Sequence, residues 1–331
     1  MKKAVHTIIL LLLSSLLVQG CSFREVFVEG TLIQVNIHGL QPRANGTYPE
    51  LFEAVFYDAE TGKKVSSDFI PASGGQMHLK AGNYKYVIYN FDLESTYLVD
   101  GTEYDAMEAR TGTAASDIDK LYRTILQFSA EGVSTTEEQR GGLASVLHEP
   151  DAFYVATGVV GVPHRSSEQD VITLDVSPKD LVHSVTVSVE GITGAENVGA
   201  VSVFLTNLSG GVYASSGKTA DEKAAFYLNC TGGPGGSFHS SFSCFGFLPG
   251  EVYEGEGMRV TAYVLVIGLG GQRFVVTRDV TELVRDVTDG RDVNIVVHCS
   301  VNVPEPENAD EGFAPTLDDW FEEEVPVPIG Q

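Results

Sequence analysis

Apolar residues recur at every second position in many short segments of this chain. In 182–189, for example, Val185, Val187 and Val189 alternate with serine and threonine. Side chains of a β-strand point to alternate faces, so this period predicts strands with one buried face. Only 116–128 has apolar residues at helical spacing, which predicts one short helix. The other segments with strand patterning are 32–37, 52–57, 82–91, 171–176, 201–205, 238–245, 259–267 and 274–277.

The two halves of the chain carry similar patterns. The run 32–39 parallels the run 182–191, and a strand closed by a glycine-containing turn follows each of them, at 52–62 and at 201–211. Repeated strands without intervening helices are typical of β-sandwiches. The sequence therefore predicts an all-β chain with two tandem β-sandwich domains, 21–169 and 170–300.

The N-terminus predicts export and lipidation. Lys2 and Lys3 precede an apolar run at 8–18, which is too short to span a ~30 Å hydrocarbon core and is typical of a signal peptide. The run ends at Gly20-Cys21, which resembles the lipobox of bacterial lipoproteins. We expect cleavage after residue 20, acylation of Cys21 and, from the following Ser22, an outer-membrane location with the body at the cell surface. The alternative is an ordinary secretory signal with an unrelated cysteine.

Charge excludes one class of partner. The chain has 21 Lys+Arg against 45 Asp+Glu, a net charge of −24. Nucleic-acid binding requires a basic face, so no nucleic-acid partner is expected.

The segment 301–331 differs in composition from the rest of the chain. It has nine acidic residues, five prolines and no Lys or Arg, so it is not expected to fold alone. It ends in an apolar run interrupted by Pro326 and Pro328, which suits an extended strand that pairs along one edge. One interpretation is a donor strand offered to a partner by β-addition, and the other is a solvated acidic tail. The residues of the possible donor strand are Trp320, Phe321, Val325, Val327 and Ile329.

Chemical motifs are scarce. Cys230 and Cys244 flank a glycine-rich loop at 232–236 and could form a disulfide, or they could be buried small hydrophobic residues like Cys299. No catalytic motif, metal-ligand spacing or cofactor fingerprint is present, so no catalytic residue, metal or cofactor is predicted and an enzyme is not expected.

Five tyrosines lie close together in the first half of the chain. They could form a platform that stacks on sugars, or they could be core residues and cross-strand pairs. Solvent exposure of the first three decides between a glycan-binding surface and a core. The five are Tyr84, Tyr86, Tyr89, Tyr97 and Tyr104.

Several local runs resemble the fimbrillin-associated lipoproteins of Bacteroidetes, which include the FimB-like anchor subunits. The run 77–90 is similar to the family's "L-x-x-G-x-Y-x-x-x-x-Y-N" strand, and 149–156 is similar to its "P-D-x-F" segment. The third similar segment is 182–191, the opening strand of the predicted second domain. The resemblance covers about 21–300.

This resemblance implies two tandem transthyretin-like, Greek-key sandwiches. It further implies an outer-membrane pilus anchor or an accessory adhesin whose partner is a fimbrial subunit. In that family, subunits join when a C-terminal strand fills a groove of a neighbour, and the matching segment here is 320–329. That segment is shorter and more acidic than such a strand usually is, and no basic protease site is evident near the start of the mature chain. These departures favour an anchor over a stalk subunit. A surface glycan-binding lipoprotein is the alternative function.

Overall fold

The computed structural model describes residues 30–43, 45–130, 144–164, 171–248, 258–284 and 292–306. Within these ranges β-strands dominate, as the alternating pattern predicts. The strands are β1 (Thr31–Ile37), β2 (Leu51–Asp58), β3 (Lys64–Pro71), β4 (Gly75–Leu79), β5 (Gly82–Asn90), β6 (Thr96–Val99), β7 (Glu108–Thr111), β8 (Ser145–Val146), β9 (Tyr154–Val162), β10 (Val171–Val176), β11 (Lys179–Asp180), β12 (His183–Thr193), β13 (Val198–Ser209), β14 (Gly211–Tyr213), β15 (Lys223–Gly232), β16 (Phe238–Cys244), β17 (Thr261–Gly268), β18 (Arg273–Asp279) and β19 (Asp292–Asn302).

Helices are few. The predicted helix is present as α1 (Ser116–Ala130), and a single turn, α2 (Thr281–Val284), follows β18. Turns of 3₁₀ helix lie at Ala195–Asn197 and Pro234–Gly236. Among the described residues, no helix is both long enough and apolar enough to cross a membrane.

The N-terminal sandwich packs two sheets face to face. One sheet has the strand order β10-β1-β4 and the other has the order β11-β9-β5-β2-β3. β1 lies in the centre of its sheet, parallel to β10 and antiparallel to β4. Its inward residues Ile33 and Val35 are fully buried in one core cluster with Phe56 and Ile88 of the opposite sheet. The alternation in 31–37 is therefore the signature of this half-buried central strand.

The C-terminal sandwich is one sheet folded over into two layers. Its strand order is β18-β17-β13-β15-β16-β12-β19. β12 lies between β19, which runs parallel to it, and β16, which runs antiparallel. The inward residues Val185, Val187 and Val189 have no solvent exposure. β15 passes from one layer to the other, because it pairs with β13 up to Cys230 and then with β16.

The two sandwiches have equivalent topologies. The opening strand of each pairs with a late strand in parallel and with the fourth strand of its sandwich in antiparallel fashion, as β10-β1-β4 and β19-β12-β16. The opposite layers, β9-β5-β2-β3 and β18-β17-β13-β15, also correspond strand by strand. The prediction of two tandem Greek-key sandwiches is confirmed, and seven strands of each sandwich correspond in order; β11 and β8 lie outside this correspondence.

The domain boundary differs from the sequence-based division at 169/170. β10 pairs with β1 along its whole length, and β11 pairs with β9. Both strands therefore belong to the first sandwich, and the second begins at β12. Val171–Val176 falls inside the predicted second domain, but the partner of a strand is set by long-range pairing that local alternation does not reveal.

The segment between β5 and β9 leaves the first sandwich and packs on the second. β6 and β7 form a small sheet with β14 of the second half, and β8 pairs with β15. α1 covers the outer face of the C-terminal sheet, where Tyr122 stacks on Phe204 with ring centroids 5.2 Å apart. The apolar face of α1 thus packs against the other half of the chain.

A shared apolar cluster joins the two sandwiches. Val55, Val87 and Tyr89 from the outer face of the N-terminal sheet pack with Val212 and Phe245 from the C-terminal half. Polar contacts reinforce this junction: Arg110 bridges Glu108 and Glu222. Each sandwich keeps its own core, and this third apolar cluster lies between them.

Candidate docking edge on the N-terminal sandwich

The residues predicted for lipidation and strand donation lie outside the described residues. These are Cys21 together with Trp320, Phe321, Val325, Val327 and Ile329. The described chain begins at Gly30, directly before β1, and ends at Pro306, just beyond β19.

The possible Cys230–Cys244 disulfide is not formed in the structure, where both residues are free thiols. Cys230 pairs with Val201 of β13, and the pairing of the next residue, Thr231, with His239 puts Cys230 nearest to position 240 of β16. Cys244 lies four residues farther along, about 13 Å away at ~3.3 Å per residue, whereas a disulfide requires Cα atoms within about 7 Å. Burial raises the pKa of both thiols to about 12. Cys244 therefore follows the alternative prediction of a small buried residue.

The tyrosines considered as a possible glycan platform are mostly core residues. Tyr84, Tyr86 and Tyr89 are 5%, 8% and 3% exposed. Tyr84 and Tyr86 pack against Phe56 inside the first sandwich, and Tyr89 packs against Phe153 at the domain junction. A flat sugar-stacking face made of these rings is thus excluded.

The family-like motifs have a structural role. The Asp151 carboxylate accepts hydrogen bonds from the backbone N–H groups of Glu94, Ser95 and Thr96, at 2.7–2.9 Å. The buried Asn90 side chain donates to the Ala152 carbonyl and accepts from the Tyr154 N–H. These contacts hold the end of β5 against the start of β9. The motif thereby joins the two strands that flank the long insertion containing β6, β7 and α1.

Metal and catalytic groups do not converge in the part of the chain that the structure describes. It contains no group of three or more His, Cys, Asp or Glu side chains able to hold a metal ion. One buried ionisable contact, that of Glu53 with Tyr89 and Lys64, is described below with the surface above it.

β3 is an exposed edge strand. It pairs with β2 on one side, and its first residue is covered on the other side by Thr102, whose carbonyl accepts from the Lys64 N–H. Beyond that point no described strand pairs with its outer edge. The Phe69 N–H donates to the Asp68 side chain, so it points away from β2. Backbone groups alternate along a strand, so those of Ser67 also point outward. Edge strands of this kind present unpaired backbone groups to other chains.

Exposed apolar side chains accompany this free edge. Phe69 is 52% exposed and Phe91, which follows β5, is 45% exposed; their rings meet edge to face with centroids 4.7 Å apart. Val65 and Leu51 are also exposed. We call the outer edge of β3 together with Val65, Phe69, Phe91 and Leu51 the β3 edge surface. The contacting Phe69 and Phe91 rings form an exposed apolar patch beside the open edge, which is typical of an interaction site.

The base of the β3 edge surface is held by a buried carboxylate. Glu53 accepts a hydrogen bond from the Tyr89 hydroxyl, and the Lys64 ammonium lies 3.4 Å from the same carboxyl group. Burial, together with the hydrogen bond and charge of Glu53, raises the pKa of Tyr89 above its ordinary value. The hydroxyl therefore stays protonated and donates, which ties β5, β2 and β3 together beneath the two phenylalanines.

This arrangement suits an extended segment of another chain. Such a segment could pair with the outward backbone groups of β3 and place alternate side chains on Phe69 and Val65. The signal for this site in the amino-acid sequence is weak, because Val65 and Phe69 stand among Lys, Ser and Asp and only Ile70 of β3 faces the core. Exposure and strand order, which locate the site, come from the tertiary structure.

Comparison with known proteins identifies relatives. The family model described as "Domain of unknown function (DUF5119)" matches residues 20–229. The "Putative fimbrium anchoring subunit Fim4B" of Bacteroides ovatus is 25% identical over 214 residues, which are 63% of this chain and 56% of that protein. The chain thus spans about half the length of this curated relative.

Solved structures share the fold. A "putative adhesin" from Bacteroides ovatus matches with a TM-score of 0.58 at 20% identity, covering 87% of this chain and 98% of the other. The fimbrial anchor protein Mfa2 from Porphyromonas gingivalis matches with a TM-score of 0.50 at 14% identity, covering 81% and 90%. The resemblance to fimbrial anchor subunits is confirmed. The family model matches more than half of this chain, and the chain therefore belongs to the DUF5119 family.

Proposed function

We propose that this chain is an outer-membrane lipoprotein that acts as a structural anchor or accessory adhesin subunit of a fimbria. It docks a fimbrial subunit by β-strand addition. The relative Fim4B is described as a fimbrium anchoring subunit, and the fold is that of the anchor Mfa2. The observation that carries the docking step is the free outer edge of β3 beside exposed Phe69 and Phe91.

Membrane attachment is assigned to Cys21. Acylation there would tether the body through residues 22–29, which lead into β1. Two or more acyl chains at about 0.8 kcal/mol per buried CH₂ give stable anchoring. The negative net charge would keep the body away from anionic headgroups, so the lipid alone provides the attachment.

The tail offers a second docking element. β12 starts at the domain junction and runs for 11 residues, about 36 Å, to the opposite pole of the C-terminal sandwich. The chain leaves the described region at this distal pole, where the Val303 N–H donates to the Thr193 carbonyl. The possible donor strand at 320–329 would be tethered to this pole by residues 307–319.

The test is capture of fimbrial subunits from the source outer membrane. The lipidated protein is compared with Phe69→Lys and with Phe128→Lys, which changes a phenylalanine of α1 that is similarly exposed at 42%. We expect wild type and Phe128→Lys to retrieve fimbrial subunits, identified by mass spectrometry, and Phe69→Lys to lose them. Equal retrieval by Phe69→Lys refutes docking at β3. If wild type retrieves no fimbrial protein, the fimbrial function itself is wrong.

A further inference from the structure

The sheet that ends at β3 has a second open edge, on β9. At its far end, β11 pairs with β9 only at Tyr154 and Val155. From there to the end of β9 at Val162, no described strand pairs with the outer side of β9. The open segment is therefore 156–162, which β11 limits at one end and Pro163 follows at the other.

The backbone groups that face outward from this segment belong to Thr157, Val159 and Gly161. The Leu181 N–H donates to the Phe153 carbonyl, so the backbone groups of Phe153 point toward β11. Backbone groups alternate in direction along a strand, and the pairing of β9 with β5 continues to Val162 without a shift of register. Every second residue after Phe153 therefore presents its N–H and C=O groups at the open edge.

β9 lacks the features that usually protect an edge strand from other chains. Such edges commonly carry charged residues, a proline or a bulge. Residues 154–162 include no charged residue and no proline, and their pairing with β5 shows no bulge. Val159 is instead 75% exposed. This combination is typical of a strand that pairs with a partner.

The open segment is complementary to a second copy of itself. In an antiparallel pair centred on Val159, this residue faces Val159 of the second copy, and Thr157 faces Gly161. All three outward residues of each copy then have a partner, whereas a shift of the register by two residues leaves one of them unpaired. On the opposite face of the sheet, Val160 faces Gly158. Thr157 and Val160 thus each lie opposite a glycine, which leaves room for their side chains.

Charge also favours a second copy as the partner. The chain has a net charge of −24, but residues 152–167 include no Asp or Glu. Lys85, which pairs with Val159 on the inner side, places its ammonium over the Tyr104 ring, 4.8 Å from the centroid. Two copies can therefore approach along this edge without bringing carboxylates together, and the edge itself offers no charge to attract an oppositely charged partner.

We propose that two copies of the protein associate through β9, as an antiparallel strand pair with its two-fold axis at Val159. The two sheets then become one continuous sheet, and the three residue pairs exchange about six backbone hydrogen bonds. A two-fold contact uses the same edge of both copies, so association stops at the dimer. β3 lies at the other end of each sheet and stays open. The inference therefore does not depend on the fimbrial partner.

Disulfide crosslinking in the source outer membrane tests this dimer. Residues that exchange both hydrogen bonds in an antiparallel pair have Cα atoms about 5.5 Å apart, which lies within disulfide range. Under mild oxidation, Val159→Cys should give a disulfide-linked dimer on a non-reducing gel. The matched control is Val65→Cys on β3, where the native side chain is 53% exposed, and it should stay monomeric. No dimer from Val159→Cys, or an equal yield from both variants, overturns the proposal.

A mixed crosslink tests the register. Thr157 of one copy would lie about 13 Å from Thr157 of the other, at ~3.3 Å per residue, but directly opposite its Gly161. Thr157→Cys and Gly161→Cys should therefore each remain monomeric when present alone and should form a mixed dimer when both are present in one membrane. A dimer of either variant alone, or no mixed dimer beside an efficient Val159→Cys crosslink, would overturn the proposed pairing.

Discussion

Replacing Asp151 tests whether the charge of its carboxylate, beyond its shape, stabilises the first sandwich. Its carboxylate accepts three backbone N–H bonds from 94–96, and its own N–H donates to the Thr96 hydroxyl. Burial alone would raise the pKa of Asp151, but the bonds from Thr96, Ser95 and Glu94 outweigh it and lower the pKa below the ordinary value. The ionised form is therefore the one that the fold stabilises.

The size of the effect follows from these bonds. Hydrogen bonds to a charged acceptor contribute about 1.5–3 kcal/mol each, but here they share one partly exposed oxygen and do not add fully. We expect Asp151→Ala to lower the free energy of unfolding by about 3 kcal/mol, since three amides lose their acceptor. Asp151→Asn keeps a neutral acceptor of the same shape and should cost about 1–2 kcal/mol.

The pH dependence gives the sharper test. A carboxyl group whose pKa is lower in the folded state stabilises the protein fully above its unfolded pKa of about 3.9, and the contribution disappears as the pH falls through the folded value. Guanidinium unfolding followed by circular dichroism should thus show wild type more stable than Asp151→Asn from pH 5 to 8. The gap should shrink below about pH 4. An undiminished gap at low pH, or no gap at pH 7, would refute the role of the charge.

Three further predictions concern the membrane anchor, the core and the domain junction. Cys21→Ser should move the protein from the detergent phase to the aqueous phase in Triton X-114 partitioning, and detergent-phase retention would contradict lipidation. Gly158→Val should destabilise the first sandwich by about 1–3 kcal/mol in thermal unfolding, because a side chain there meets the Tyr86 hydroxyl on the neighbouring strand; an unchanged melting temperature would contradict the packing. Arg110→Met should cost about 2 kcal/mol, because it leaves the buried Glu108 carboxylate without its bridge to the C-terminal half. Limited proteolysis should then cleave between the sandwiches sooner than in wild type, and equal resistance would show that the apolar cluster alone holds the junction.

Local patterning predicted the strands well but not their partners. β12 alternates cleanly because one face is core and the other is solvent, as shown by fully buried Val185 and Val187 beside half-buried Thr186. β5 is apolar on both faces, since Tyr86 points into the sandwich and Val87 into the domain junction. Sequence alternation could not distinguish this second buried face of β5 from an exposed aromatic face.

The candidate site was the least predictable part. The motif around Asp151 was visible in the sequence, but its role in joining β5 to β9 depends on contacts with residues more than 50 positions away. The β3 edge surface depends on which strand ends the sheet. Phe69 is a candidate contact residue only because β3 has no described neighbour beyond it. Long-range strand order, rather than local composition, defines both features.

The most direct measurement is hydrogen exchange of the lipidated protein with and without its bound fimbrial subunit. Docking by strand addition predicts that amides facing outward from β3, including that of Ser67, exchange more slowly in the complex. The matched strand β10 at the edge of the opposite sheet should not change. Unchanged exchange in β3, with protection at another edge or at none, would contradict the account.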